Sequence, residues 1–186
     1  MLDPLSPGAN ANLAGNYGIL GREAETLKHA AIAWDLGHPF GKMFEAWIYF
    51  YDAEYPEAKE AFAAFSDAIN APHDFHDGLI RAQTDPSTRD EFARFLDGLG
   101  EQTPPEVVMQ GNILLGRLDE AFAVAHRRFD DFRGNAWMVI WESQASAFRH
   151  DARFIELADR LGLLDYWRAG NWPDLCEPQG DGVVCR

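Results

Sequence analysis

The sequence has few cysteines and no long apolar stretch. Its 186 residues include two cysteines, Cys176 and Cys185, so a framework of several disulfides is excluded. No run of about 18 apolar residues occurs, and residues 1–12 lack the basic and apolar segments of a signal peptide. We therefore predict a cytoplasmic chain with free thiols in a loose tail, and a small tail-closing disulfide is the alternative.

Positive charge is also scarce. The chain has 16 basic and 30 acidic residues, which gives a formal net charge of −14. Such a surface repels phosphate groups and anionic lipid heads over a Debye length of about 8 Å at physiological salt. We predict that the protein has neither nucleic acid nor a membrane as a direct partner.

Motifs that carry catalysis or bind cofactors are missing. No serine lies in a Gly-x-Ser-x-Gly turn, neither cysteine has a neighbouring histidine, and no glycine-rich phosphate loop opens a helix. The segment from His73 to Asp77 most resembles a ligand set, but its order differs from His-Glu-x-x-His. We predict helix-capping chemistry there, with no catalytic residue, no metal and no cofactor. A metal-assisted enzyme that uses His73 and His76 is the alternative.

Material for a core is plentiful, with 47% hydrophobic and 13% aromatic residues. Amphipathic segments recur in pairs, and each pair is hinged at a small or turn-forming residue. A period near 32 residues is typical of stacked helix-turn-helix units, so we predict an all-α fold. The hinges are Gly21, Ala53, Asp85, Gly116 and His150, separated by 32, 32, 31 and 34 residues.

Helix-start signals agree with this period. Ser6 precedes Pro7, Asp85 precedes Pro86, and the segment from Thr103 to Glu106 has the pattern of a capping box. No segment has the pattern of a strand, and the chain after Gly170 is rich in turn residues. The predicted boundaries are a helical domain at 1–169 and an irregular tail at 170–186.

Three hinges resemble those of tetratricopeptide repeats. The resemblance covers residues 13–25, 53–58 and 115–122, with Leu13, Tyr17 and Gly21 at the family's leucine, tyrosine and turn-glycine positions. Residues 74–99 and 134–161 share only the repeat length. The resemblance implies a right-handed α–α superhelix of about five helical hairpins with a short C-terminal capping helix.

The two ends of the chain carry a second resemblance. Residues 154–176 are similar to the last segment of the arrays that follow bacterial winged-helix regulators and class III nucleotide cyclases, and Leu2 to Pro4 resemble the end of a preceding repeat. We expect a fragment or a truncated relative of a longer protein. This alternative implies a regulatory segment of a bacterial signalling protein, which dimerises or restrains an attached output domain.

The register of the family also predicts a binding groove. It implies that the concave surface is lined by side chains of the second repeat and by one glutamine each from the fourth and fifth repeats. Such a groove suits an extended peptide or a partner helix, so we predict a protein-binding scaffold rather than an enzyme, with homodimerisation left open. In the alternative, the aromatic residues of this set are buried between helices, as are Trp137 and Trp141. The groove residues are Met43, Trp47, Phe50, Tyr51, Gln110 and Gln144.

Overall fold

The chain is predominantly helical, as predicted. The computed structural model describes residues 5–131, 134–180 and 182–185, so the repeat end expected at Leu2–Pro4 lies outside the described residues. Two compact units follow one another, Met1–Phe92 and Ala93–Arg186. The α-helices are α1 (Pro7–Ile19), α2 (Glu23–Asp35), α3 (Phe40–Tyr51), α4 (Tyr55–Ala68), α5 (Asp74–Thr84), α6 (Arg89–Asp97), α7 (Pro105–Leu114), α8 (Leu118–Arg127), α9 (Ser146–His150), α10 (Arg153–Arg160) and α11 (Leu163–Arg168).

One turn joins the helices of three hairpins, α1–α2, α3–α4 and α7–α8. Its middle residue has a left-handed backbone, with φ of 66° at Gly21, 60° at Ala53 and 73° at Gly116. This geometry is the Schellman motif, in which the next N–H donates to a carbonyl five residues back and satisfies the helix end. These bonds run from Arg22 to Tyr17, from Glu54 to Tyr49 and from Arg117 to Asn112, at 2.9, 2.8 and 2.9 Å.

Burial repeats in the same register. Residues seven before, five after and nine after the left-handed position are at most 1% exposed in all three hairpins. Mostly small side chains occupy these positions, so the paired helices approach closely. The three hairpins are therefore equivalent in packing as well as in backbone. The residues are Ala14, Ala46 and Met109, then Thr26, Ala58 and Ala121, then Ala30, Phe62 and Ala125.

Glycine sets the contact between α2 and α3. A Cβ at Gly41 would lie 2.4 Å from the carbonyl oxygen of Ala30 and 2.7 Å from the backbone nitrogen of Trp34. At Gly78 in α5, a Cβ would lie 2.7 Å from the ring of Phe92. The two atoms nearest to residue 41 belong to the backbone and cannot move away by changing a side-chain rotamer. Helices α2 and α3 therefore pack this closely only with glycine at residue 41.

The predicted helix starts are confirmed at two of three places. The side chain of Ser6 accepts from the N–H of Ala9 at 3.3 Å, and that of Asp85 accepts from the N–H of Ser87 at 3.0 Å. Asp85 opens a 3₁₀ turn, Pro86–Thr88, which leads into α6.

The capping box predicted from Thr103 is wrong. Helix α7 begins one residue later than the box requires, with Pro104 at the N-cap and no side-chain cap bond. A residue that precedes proline is pushed out of the helical region, and Pro104 precedes Pro105. Pro104 has an extended ψ of 132°, so Thr103 lies outside the first turn.

The fifth predicted unit departs from an α-helical hairpin. Gly134–Trp141 forms a 3₁₀ helix, and a short 3₁₀ turn at Ser143–Ala145 leads into α9. Trp137 and Trp141, four residues apart, do not share a face in a helix with three residues per turn. Trp137 contacts Phe129, whereas Trp141 contacts Phe154 and Trp167.

The tail is a β-hairpin, so the predictions of an irregular tail and of free thiols are wrong. Strands β1 (Cys176–Gln179) and β2 (Gly182–Cys185) pair antiparallel, with Cys176 opposite Cys185. The two cysteines form a disulfide, and both are buried in the core of the second unit with Phe148 and Trp167. The short helix α11 precedes this hairpin, and its Trp167 packs against Trp172.

Candidate functional site

The predicted groove residues of the first unit lie on α3 and differ in accessibility. Trp47 and Phe50 are 8% and 5% exposed, whereas Tyr51 is 37% exposed and Met43 is partly buried. Trp47 packs edge-on against Phe50 and against Phe62 of α4, with ring centroids 5.5 and 5.0 Å apart. Two of the four side chains are therefore core residues between helices, which corresponds to the packing alternative.

Tyr51 is the exposed end of this aromatic cluster. Its ring stacks on Trp47, with centroids 5.5 Å apart and an interplanar angle of 21°, and it contacts the edge of Phe50 at 5.8 Å. A ring held on one face by buried neighbours loses little conformational freedom on binding. Of the four predicted groove residues on α3, Tyr51 and Met43 are therefore the two that a partner could contact.

The histidine pair at the start of α5 does not converge. Nε2 of His73 lies 3.0 Å from a carboxylate oxygen of Asp67, at the surface. His76 lies instead among aromatic rings, stacked on Phe62 at 4.1 Å. In the part of the chain that the structure describes, no group of three His, Cys, Asp or Glu residues could hold a metal ion.

The predicted groove residues of the second unit converge on one carboxylate. Gln110 of α7 donates from Nε2 to Oε2 of Glu142 at 2.8 Å, and Gln144 donates from Nε2 to the same oxygen. All three side chains are partly buried. The two glutamines, 34 residues apart in sequence, are brought together by a residue that the sequence did not single out.

A buried arginine fixes the backbone beneath this cluster. Arg149 is 4% exposed, and its Nη1 donates to the carbonyl oxygens of Ile140 and Glu142, both at 2.8 Å. Burial lowers the pKa of the Arg149 guanidinium from its ordinary value, because the charged form is removed from water. Arg149 thus connects the end of the 3₁₀ helix to α9 and positions the Glu142 carboxylate for the glutamines.

Gln110 is equivalent to Trp47 in the repeat. Each lies six residues before a left-handed residue, Gly116 and Ala53 respectively. The same position therefore holds a core tryptophan in the first unit and a partly buried amide in the second. This difference makes the Gln110 cluster the better candidate for recognition of a polar ligand, since amides offer directional hydrogen bonds.

Sequence reasoning missed Glu142 and Arg149. One signal was present, since Arg149 directly follows Phe148 and stands one helical turn after Ala145, and both of these residues are buried. A charged residue at a core position is rarely buried without hydrogen-bond partners. The role of Glu142 had no comparable signal, because its carboxylate meets Gln110 across 32 residues.

Comparison with protein-family models, with curated proteins and with solved structures gives no match for this chain. Among the described residues, no helix is both long and apolar enough to cross a lipid bilayer. The class of protein therefore has to be argued from the hairpins and from the two candidate surfaces themselves.

Proposed function

We propose that this chain is a protein-binding scaffold of the tetratricopeptide type, which binds an extended peptide segment of a partner protein. The equivalent hairpins support the repeat class, because one turn geometry and one burial pattern recur in α1–α2, α3–α4 and α7–α8. In repeat proteins such units supply rigid surfaces whose side chains vary between units. The variation between Trp47 and Gln110 at one position is of this kind.

The observation that carries the proposal is the Gln110 side chain. Its NH₂ group is engaged by Glu142 at 2.8 Å, and its Oε1 has no partner among the residues that the structure describes. An extended peptide presents backbone N–H groups that need acceptors. Because Glu142 already holds the amide in place, Gln110 offers an acceptor at a low cost in conformational entropy.

The first unit offers an aromatic contact of its own. Tyr51 and the partly buried Met43 present apolar surface on α3, and Tyr51 is supported from below by Trp47. Tyrosine held in this way is a frequent anchor in protein interfaces. Each unit thus has its own candidate contact, an aromatic side chain at Tyr51 in the first unit and a side-chain amide oxygen at Gln110 in the second.

The alternatives use the same surfaces differently. In the regulatory alternative, the bound segment belongs to the same polypeptide or to a second copy of the chain. For the metal-assisted alternative, no group of three His, Cys, Asp or Glu residues that could hold the ion occurs among the described residues. The cytoplasmic location stays a prediction, and the Cys176–Cys185 disulfide is a bond that cytosolic reductants normally remove.

Selection of displayed peptides on the full chain tests the proposal. A random peptide library should yield peptides with a common sequence motif, and their affinity for the chain is then measured by calorimetry. Alanine at Gln110 or at Tyr51 should weaken binding about tenfold, the free energy of one hydrogen bond or one packed ring. Matched controls are Gln102→Ala and Tyr166→Ala, because both wild-type side chains are exposed and neither has a contact with Gln110 or Tyr51.

Thermal unfolding of each variant separates loss of binding from loss of structure. Binding that is unchanged in both Gln110→Ala and Tyr51→Ala would refute the assignment of these surfaces. Failure of the library to converge on any motif would count against a peptide-binding scaffold as such.

A further inference from the structure

His76 is the buried titratable group that the proposed function does not use. It lies on α5, and its ring stacks on Phe62 of α4 with an interplanar angle of 10°. Edge contacts surround the stack, with ring centroids 6.1 Å away at Phe65, 6.3 Å at Trp47 and 5.2 Å at Phe75. The imidazole thus occupies an aromatic cage formed by three consecutive helices, α3, α4 and α5.

The cage suits the neutral ring and opposes the charged one. Nδ1 of His76 is buried and has no hydrogen-bond partner among the described residues. Protonation makes both ring nitrogens donors, so a buried N–H would be left without an acceptor. A cation over the face of Phe62 regains only part of this cost.

Charged neighbours do not reverse this balance. Burial has the largest effect on the pKa of His76, which is lowered to about 4, while Asp77 of α5 raises this pKa and His73, the N-cap residue of α5, lowers it. On α4, Lys59 lies 3.4 Å from Asp77, and Asp67 lies 3.0 Å from His73. The Asp77 carboxylate is thus paired with Lys59 and that of Asp67 is bonded to His73, and the α3 residue that touches the His76 ring is a tryptophan.

We propose that His76 is an acid-sensitive latch, whose neutral ring holds α5 against the α3–α4 hairpin and whose protonation releases α5. In the released or unfolded form the imidazole is in water and has its ordinary affinity for protons. Acidification therefore favours release, since only that form takes up the proton readily.

The direction and size of the pH effect on the release of α5 follow from the pKa of His76 in the packed form and in water. The pKa of His76 is about 4 in the packed form and 6.5 in water, so the packed form loses stability as the pH falls below 6.5 and stops losing it below about 4. Between pH 8 and pH 5, these values imply an increase of about 30-fold in the equilibrium constant for opening. The lower limit of pH 5 is chosen because it lies above the isoelectric point of about 4.7, at which the solubility of the protein is lowest.

The aromatic cage around His76 also supports the α3 surface that contains Tyr51 and Met43. Trp47, which supports Tyr51, is one wall of the cage, so release of α5 removes packing from beneath that tyrosine. If the proposed peptide binding is correct, binding at this surface weakens on acidification. This last consequence rests on the proposed function, whereas the latch itself does not.

Urea unfolding of the full chain between pH 8 and pH 5 tests the latch. Relative to His76→Phe, the wild-type unfolding constant should rise about 30-fold on acidification. His73→Gln, which removes the exposed histidine three residues earlier, should keep that rise. If the unfolding constants of wild type and His76→Phe change by the same factor between pH 8 and pH 5, the proposal is wrong.

A second readout needs no variant. In an NMR titration of the wild-type chain, His76 should stay neutral at pH 5, and amide hydrogen exchange in α5, corrected for its intrinsic pH dependence, should accelerate more than exchange in α1. A His76 resonance that titrates near pH 6.5 in the folded chain would refute the latch even if His76→Phe does not fold.

Discussion

Replacement of Gly41 by alanine is expected to destabilise the first unit more than replacement of Gly18 or Gly78 by alanine. The new Cβ would meet the carbonyl oxygen of Ala30 at 2.4 Å and the backbone nitrogen of Trp34 at 2.7 Å. Neither obstacle can change rotamer, so α2 and α3 have to separate by roughly 1 Å to restore ordinary contacts. Overpacking of this kind costs about 1–3 kcal/mol.

Helix propensity opposes this loss. Alanine gains about 0.5–1 kcal/mol over glycine inside a helix, and residue 41 lies in the first turn of α3, where the gain is smaller. The net expectation for Gly41→Ala is a loss of about 2 kcal/mol, or a fall of about 4–8 °C in Tm for a chain of this size.

Two other glycines calibrate the measurement. At Gly78 the obstacle is the Phe92 ring at 2.7 Å, which can shift, so alanine should cost about 1 kcal/mol. At Gly18 in α1 the nearest atom is 3.7 Å away on Thr26, so alanine should be neutral or slightly stabilising. The free energy of unfolding is measured by urea titration followed by circular dichroism. If Gly41→Ala proves as stable as Gly18→Ala, the close approach of α2 and α3 is wrong.

Two further predictions concern the disulfide and the helix caps. The Cys176–Cys185 disulfide spans a sequence separation of nine and should stabilise the second unit by about 2.5 kcal/mol, so dithiothreitol should lower the denaturation midpoint of wild type and leave a double serine variant unaffected. Equal midpoints for oxidised and reduced protein would contradict the bond's contribution. Ser6→Ala should cost about 1 kcal/mol through loss of the α1 cap, whereas Thr103→Ala should change the free energy of unfolding by less than about 0.5 kcal/mol. A larger loss in free energy of unfolding for Thr103→Ala than for Ser6→Ala, measured by urea titration, would instead support the predicted capping box at Thr103.

The sequence predicted those parts of the fold that local chemistry decides. Small or turn-forming residues at a period near 32 predicted the hairpin turns at Gly21, Ala53 and Gly116 correctly, and each has the left-handed backbone that ends a helix. The 3₁₀ helix at Gly134–Trp141 and the strands at Cys176–Cys185 were missed, because their conformation depends on burial against other parts of the second unit.

The candidate site was predicted in part for a related reason. Repeat register placed Trp47 and Gln110 at equivalent positions, and the structure retains that equivalence. Periodicity identifies the apolar face of a helix but not the neighbour that covers it, so the burial of Trp47 was one of two open alternatives. Glu142 and Arg149 become visible only once the chain is folded, since their partners lie in other segments.

The β-hairpin in the core of the second unit bears on how the protein is made. The first unit is assembled from helices adjacent in sequence, so it can fold as soon as those helices have left the ribosome. The second unit places Met109 of α7 in the same core as Cys176 and Cys185, which are synthesised roughly 70 residues later. The apolar side chains of the helical hairpin α7–α8 therefore stay exposed until the β-hairpin has been synthesised. Exposed apolar side chains of this kind make a nascent chain prone to aggregation during that interval.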